Sequence, residues 1–582
     1  MYVSEIFREK SPAEFFKDNP ELAGFSNPTR ALYTSIRELF ENAMDAAELL
    51  GVPPKIIVRL LPAKRFGLEA EDVYLLRVED NGIGIPPENV PPAFCKVFYG
   101  SKYVERQTRG HFGMGASMVV LYSQARLGTP VRVLTSPAKK TEEGIEPSKR
   151  IYEFVMKIDL KRNEPIVLKR KKYRNKHRRH GTIVELFIPG DYSRARSRIV
   201  EYFRQTAIIA PYASITFVDP SLHVYHFYRA SDEVPPPPKD VKPHPYGIDL
   251  ETLQRMIAEL KPKTVLELLT NGFQQVGKKT ALYVLEAAGI DPKADPRRLS
   301  VSKLRKLIEV MQNPPPGYEK KIRFRRPTTE SLSPAGLSNI ERGLRKEVNA
   351  EIISTHSEVG SYSGHPFIVE VAIAYGGKAS EGEFSIYRFA NKIPLLYDLK
   401  EDVVYNVVSN FNRSNYGIRK DMPITILTHI CSTKVPYKSA GKESVAPVPE
   451  IEKALKKSLR HAAQKIRLYL SAVKKERELK RKLSEYMRYL PLIATFSARL
   501  SMHKYPPPIR TLIDEIEEEV EKEKMRRLKV AGVESAEKDR TDRVPLRVFL
   551  RYAPEIRGRT CRISRTAVRI DHNPSAYPGP CI

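Results

Sequence analysis

Two proline-rich breaks constrain this chain more than any other feature in it. EVPPPPKDVKPHPYG (233–247) and NPPPGYEKK (313–321) can neither continue a helix nor run through a central strand. Both therefore read as boundaries. A chain of 582 residues is also too long for one hydrophobic core. The expected units are residues 1–230, 231–312, 313–448, a long helix over 449–490, and a tail over 491–582.

The first unit alternates helical and strand-like segments. PKIIVRLL (54–61), VYLLRVED (73–80), VRVLTS (131–136), IYEFVMKID (151–159), TIVELFI (182–188), SITFVD (214–219) and HVYHFYR (223–229) carry β-branched and aromatic residues between turn signals. Several follow each other directly. That pattern predicts an α+β fold, with helices layered on one mixed or antiparallel sheet. Residues 249–311 are helical by pattern. PFIVEVAIAY (366–375), FSIYRFA (384–390) and PITILTHI (423–430) read as strands, and 449–490 as one long basic helix. The remainder is weakly patterned and punctuated by proline.

Four stretches carry chemistry. In NPTRALYTSIRELFENAMDAAELLG (27–51), Asn27 suits an N-cap, Pro28 the first turn and Gly51 the stop. Leu32, Ile36, Ala43, Ala47 and Leu50 form an apolar stripe. Glu38, Asn42 and Asp45 share a different face, where a carboxylate can orient water and an amide oxygen can take Mg²⁺. In VEDNGIGIPPE (78–88), Asp80 can accept from an exocyclic amine, while Gly82 and Gly84 allow close backbone approach. In GHFGMGASMVVLYS (110–123), glycines lead into an apolar helix whose free N–H groups form an anion cradle. In HGTIVEL (180–186), Thr182 opens a strand and offers a hydroxyl. GFQQVGKKT (272–280) is nearly a phosphate loop, but Lys279 stands where Ser or Thr is needed and TVLELLTN before it reads as helix.

In this order the four stretches resemble the GHKL ATPase superfamily of gyrase B-type subunits, MutL, heat-shock chaperones and histidine kinases. The resemblance implies an α/β sandwich holding ATP between sheet and helices. It implies Glu38 as general base, Asn42 as Mg²⁺ ligand beside Asp45, and Asp80 as reader of the adenine amine. Gly110, His111, Phe112, Gly113, Met114, Gly115, Ala116 and Ser117 would form the phosphate lid, with Thr182 supporting the base and Ser101 and Lys102 near phosphate.

Further segments resemble the DNA topoisomerase VI B-subunit family. They are SPAEFF (11–16) running to the helix above, RRPTTESLSPAG (325–336), GHPFIVEVAIAYGG (364–377), RFANKIPLLYD (388–398) and STKVPYKSAGKES (432–444). That resemblance implies a helix-two-turn-helix insert at 252–285, a transducer domain, and a stalk helix reaching a DNA-cleaving A subunit in a heterotetramer of two A and two B chains. ATP would dimerise the B subunits to gate duplex DNA passage. A transducer lysine would reach the γ-phosphate; Lys434, Lys438 and Lys442 are the candidates, and Lys442 is preferred because Gly441 before it suits a tight turn.

Charge fits a DNA partner. Lys+Arg number 98 against 69 Asp+Glu, a net +29. The run LKRKKYRNKHRRHGT (168–182) places Lys176, Arg178 and Arg179 where the family has a KGRR loop, with His177 in place of its glycine. Lys278 and Lys279 lie in the glycine hairpin of the insert. Four scattered cysteines make no CxxC pair. No apolar run approaches a membrane span, so the chain reads as cytoplasmic, nucleoid-associated and without a membrane partner. The alternatives are a mismatch-repair-type ATPase, which should lack the insert and transducer segments, and a non-enzymatic nucleic-acid-binding scaffold, which need not keep Glu38, Asn42 and Asp80.

Overall fold

A computed structural model describes residues 9–100, 106–110, 113–377, 385–419, 421–438, 442–506 and 508–530. Helices α1 (Pro12–Asp18) and α2 (Pro28–Leu50) precede strands β1 (Lys55–Pro62) and β2 (Val73–Glu79). Then come α3 (Val90–Cys95), α4 (Gly115–Leu127), β3 (Val131–Ser136), a hairpin of β4 (Ala138–Thr141) and β5 (Gly144–Pro147), β6 (Arg150–Asp159), β7 (Glu164–Arg174) and β8 (Gly181–Pro189). Helix α5 (Tyr192–Ile209), β9 (Ser214–Val218) and β10 (Val224–Phe227) complete this part. The strands form one sheet in the order β10-β9-β1-β2-β8-β3-β6-β7. All its pairs are antiparallel except β1 with β9. Alternate residues such as Ile56, Val58 and Leu60 are buried, and α2, α4 and α5 pack on the sheet.

Four helices follow the first proline break: α6 (Leu250–Leu260), α7 (Val265–Gly272), α8 (Lys278–Ala288) and α9 (Val301–Gln312). They close on a core of their own that includes Leu253, Leu268, Leu285 and Leu307. Gly272 ends α7, and Gly277 caps α8. The near-phosphate loop at 272–280 is thus preceded by a helix, where a phosphate loop needs a strand.

The third part holds α10 (Leu337–Val348), β11 (Ile352–Tyr362), β12 (His365–Tyr375), β13 (Ser385–Ala390), β14 (Ile393–Pro394), α11 (Val403–Ser409) and β15 (Ile424–Ser432). Its sheet runs β11-β12-β15-β13-β14. Every residue of β15 is buried, which a sheet covered on both faces requires. One face carries the small Ala372 and Ala374 and joins the core of the first sheet and α2. The other carries Val369, Val371 and Ile373 and packs on helix α12 (Pro449–Leu500). Small residues let the two large units approach, and branched residues grip the long helix. A last helix, α13 (Arg510–Val530), packs on α12.

Three differences from the sequence reading have physical causes. The basic run from Leu168 to Arg174, absent from the expected strands, forms most of edge strand β7. Its charged residues are exposed on both faces, so no alternation announces it, and lysines on an edge discourage unwanted pairing. Strand β11 was hidden because Ser, Thr, His and Glu interrupt its apolar residues. Helix α12 continues past Pro491 to Leu500, and α13 lies where the tail looked unpatterned. One missing N–H near a well-solvated helix end is tolerated when a neighbouring helix supports it.

Gly343 lies inside α10, where a Cβ would strike the carbonyl oxygen of Ile208 in α5. Alanine normally strengthens a helix by about 1 kcal/mol over glycine. Here Gly343→Ala is expected to destabilise by about 1–3 kcal/mol, because the clash is with backbone that cannot move aside. Chemical denaturation checks the sign.

Candidate nucleotide site

Helix α2 builds the site's wall. Asn27 accepts from the Arg30 N–H at 2.9 Å, Pro28 occupies the first turn, and Gly51 terminates the helix at φ 72°. Leu32, Ile36, Ala43, Ala47 and Leu50 are buried as expected. Burying that stripe turns Glu38, Asn42, Asp45 and Glu48 into a cavity of about 1060 Å³. Such a volume suits a nucleotide-sized ligand.

The floor comes from neighbouring strands β2 and β8. Asp80 Oδ1 accepts from the Gly82 N–H at 2.7 Å and from the Thr182 N–H at 3.1 Å. Burial pushes the Asp80 carboxyl up to about 7 against those two hydrogen bonds. Thr182 Oγ1 lies 3.5 Å from Thr135 Oγ1. Gly84, at φ 71°, sits where a Cβ would press on the Ser136 backbone. Gly82 packs against Ala46 of α2 and does not line the cavity. His180, absent from the sequence candidates, holds this turn through Nδ1, 3.0 Å from the Gly82 carbonyl.

The lid stands opposite. Gly110, Gly113, Met114, Gly115 and Ala116 line the cavity. Ser117 does not; it is buried, and its Oγ donates to the Met114 carbonyl at 3.0 Å. The N-cap Met114 supplies no side-chain hydrogen bond to α4, and Gly115 and Ala116 of its first turn line the cavity, so the positive end of this 13-residue helix lies at the cavity wall. A Cβ on Gly115 would collide with the Glu38 carboxylate, so glycine there lets the carboxylate meet the helix end. Ser101, Lys102, His111, Phe112 and Gly441 lie outside the described residues.

Charges converge at two places along α2, one at mid-helix and one near its C-terminus. Near Glu38, the Arg37 guanidinium donates to Glu38 Oε1 at 2.8 Å. Lys442 Nζ lies 3.7 Å from Glu38 Oε1 and 3.5 Å from Glu41 Oε2, with its side chain 4% exposed. Burial lifts the Glu41 carboxyl above its usual range, opposed by Lys442 and reinforced by Glu38. Glu443, next in the chain, pairs with Arg30 of α2. Of the three lysines considered, Lys442 alone lines the cavity. Lys438 faces Glu401 at 3.5 Å, and Lys434 lines a separate small cleft beside Asp249 and His365.

Near the C-terminus, Glu48 receives the Arg109 guanidinium at 2.6 Å, the Tyr212 hydroxyl at 2.7 Å and Lys392 Nζ at 3.0 Å. Arg109 also donates to Asp45 at 2.7 Å. Burial opposes the Glu48 charge, yet Arg109 and Lys392 bring its carboxyl down to about 2. Sequence reasoning missed Arg37, Glu41, Glu48, Arg109 and Lys392. The spacing of Glu48, three residues past Asp45 on the same face, was the available signal for one of them.

The basic candidates lie on the surface. Lys176, Arg178 and Arg179 are exposed on a loop held from inside by buried Asn175, whose side chain donates to the Arg179 carbonyl and accepts its N–H. The left-handed residue is Arg178, at φ 49°, and His177 is not left-handed. This loop therefore needs no glycine at 177. Lys278 and Lys279 are exposed in the first turn of α8.

The family model for histidine kinase-, DNA gyrase B- and HSP90-like ATPases matches residues 27–189. That for the topoisomerase VI B subunit transducer matches 327–482. The B subunit of type 2 DNA topoisomerase 6 from Metallosphaera sedula is 46% identical over 498 residues, covering 85% of this chain and 90% of the relative. The chain belongs to the topoisomerase 6 B-subunit family. Its counterpart from Saccharolobus islandicus is 46% identical over 508 residues, covering 86% of this chain and 92% of the relative. One solved structure, the N-terminal domain of a DNA repair protein, aligns with 78% of this chain and 99% of its own at 11% identity and a TM-score of 0.36. Membership of the topoisomerase 6 B-subunit family favours an ATP-dependent topoisomerase component over the mismatch-repair-type and non-enzymatic alternatives. Its ATPase domain implies ATP binding. Among the described residues, no helix is long and apolar enough to cross a membrane.

Glu48 supplies the negative charge between two buried cations. Glu48→Gln is expected to cost about 3–5 kcal/mol of stability, measured by chemical denaturation. Because the folded state holds this carboxyl at about 2, below the usual 4.5, its contribution is complete above that usual value. It is lost as pH falls toward about 2.

Proposed function

We propose that this chain is the ATP-hydrolysing gate of a type IIB topoisomerase, and that ATP binding dimerises it while a separate A subunit cuts DNA. The observation that carries the reading is Lys442, a transducer residue, buried within 3.7 Å of Glu38 in the cavity. Such a contact lets the state of the nucleotide act on the transducer. Glu38 is assigned as the general base, placed by Arg37 and by the close approach of Gly115. Lys442 is assigned to the γ-phosphate, and the α4 N-terminus with the 110–117 lid to the phosphates. Asp80 and Thr182 take the adenine.

Mg²⁺ fits this donor set. Asn42 lines the cavity one turn from Glu38, and among the described residues no three His, Cys, Asp or Glu cluster as a metal cage. A magnesium ion held mainly by phosphates and water needs one such oxygen, and there it would neutralise phosphate charge.

In this reading 1–230 is the ATPase unit, 231–312 the helical insert, 313–448 the transducer, and α12 the stalk toward the A subunit in a two-A, two-B assembly. The relatives are B subunits by name, which supports an A partner. Duplex DNA is assigned to Lys176, Arg178, Arg179, Lys278 and Lys279, whose exposure suits phosphate contact. The net +29 is consistent with this and with an intracellular setting.

Glu38→Ala is expected to bind a non-hydrolysable ATP analogue and dimerise like the parent, while turnover falls by about 10²-fold or more. Sedimentation and steady-state hydrolysis measure the two. Normal turnover removes Glu38 from its role, and a parent that stays monomeric with the analogue removes the gate. Asp80→Asn is expected to weaken the analogue by about tenfold or more, by titration calorimetry.

A further inference from the structure

Residues 391 and 392 alone join β13 to β14. Both are left-handed, with φ 47° at Asn391 and 65° at Lys392. Two-residue hairpins of this geometry normally place glycine second, because a side chain there is strained. A lysine occupies that place, and its side chain is not solvated. It is 2% exposed and points into the ATPase unit.

There Lys392 Nζ donates to Glu48 Oε2 at 3.0 Å and to Ser333 Oγ at 3.1 Å. Glu48 passes the contact to Arg109, and Arg109 to Asp45. Arg109 immediately precedes Gly110, the first residue of the lid. Asn391 reaches the same strand of chain, donating to the Thr108 carbonyl at 3.1 Å. The turn is itself braced from the transducer. The Lys392 N–H donates to His429 Nε2 at 2.9 Å, which leaves Nδ1 to donate to Glu370 at 2.7 Å. Asn391 Oδ1 accepts from the Ser432 N–H at 2.9 Å.

Two transducer lysines therefore reach the carboxylates of α2 at separate places. Lys442 meets Glu38, and Lys392 meets Glu48 ten residues further on, about 15 Å along the helix axis. A single ion pair would act as a pivot. Two, at opposite ends of the polar face, fix the helix in one orientation against the transducer and hold the root of the lid as well.

We propose that Lys392 is a positioning residue for ATP hydrolysis, a second transducer anchor that sets α2 and the root of the glycine lid in the geometry the reaction needs. This rests on the nucleotide site proposed above. Lys392 binds no phosphate in this scheme, since Glu48 and Ser333 engage its ammonium. Its loss spares the adenine floor at Asp80 and Thr182, so it acts on turnover and leaves affinity in place.

The test uses the full chain with three measurements: turnover number, affinity for a non-hydrolysable ATP analogue, and melting temperature. Lys392→Met is expected to lower kcat by about tenfold or more while analogue affinity stays within about threefold. The same variant leaves a buried carboxylate short of one cation and melts early. Adding Glu48→Gln removes both charges of the pair but leaves buried Arg109 with Asp45 alone, so the double variant is expected to keep a low kcat whatever its melting temperature. A kcat within about twofold of the parent in Lys392→Met overturns the proposal. Recovery of kcat together with the melting temperature in the double variant overturns it too, since the lysine would then be only a fastener. If Lys392→Met does not fold, the double variant decides alone. A parent that binds no analogue instead removes the nucleotide site itself.

Discussion

An acidic helix face buried between two domains must be met by cations, and that requirement organises this molecule. Glu38, Glu41, Asp45 and Glu48 lie along one side of α2. Left unpaired in a buried setting they would cost several kcal/mol each. Arg37 and Arg109 come from the ATPase unit itself, whereas Lys392 and Lys442 arrive from the transducer. Neither unit satisfies this face alone. Packing adds to the dependence, because one core runs from α2 and the first sheet into Ala372, Ala374 and Phe389 of the second.

The chemistry follows from the same arrangement. Glu38 is pressed between Arg37, Lys442 and the backbone of Gly115 at the α4 N-terminus. Three positive influences hold this carboxylate in one orientation. Across the cavity, Asp80 is held in place by two backbone N–H groups, which suits selective hydrogen bonding to an amine. The lid joins the two ends, since its root at Arg109 is tied to α2 and its far end opens α4.

What the sequence revealed was local. The Asn27 cap, the Pro28 start, the apolar stripe of α2 and the glycines before α4 act over a few residues, so periodicity and turn chemistry expose them. The Asp80–Thr182 pairing needed strand adjacency, and the resemblance to a known ATPase order supplied it. The Lys392–Glu48 pair spans 344 positions, and nothing at either position announces the other. Edge strand β7 was missed because exposure on both faces erases alternation, and the end of α12 because proline misleads where tertiary support exists.

Helix α12 has 52 residues, so it is about 78 Å long. Its first turns are gripped by the transducer sheet, through Ile451, Leu455, Leu459 and Ile466, while its far half is largely exposed. Such a rod converts angle into distance. A tilt of about 5° at the gripped end sweeps the tip through roughly 7 Å, more than one helical turn. A small change of angle where the helix is gripped therefore becomes a displacement on the scale of a whole secondary-structure element. The stiffness of one helix sets how faithfully that gain is delivered.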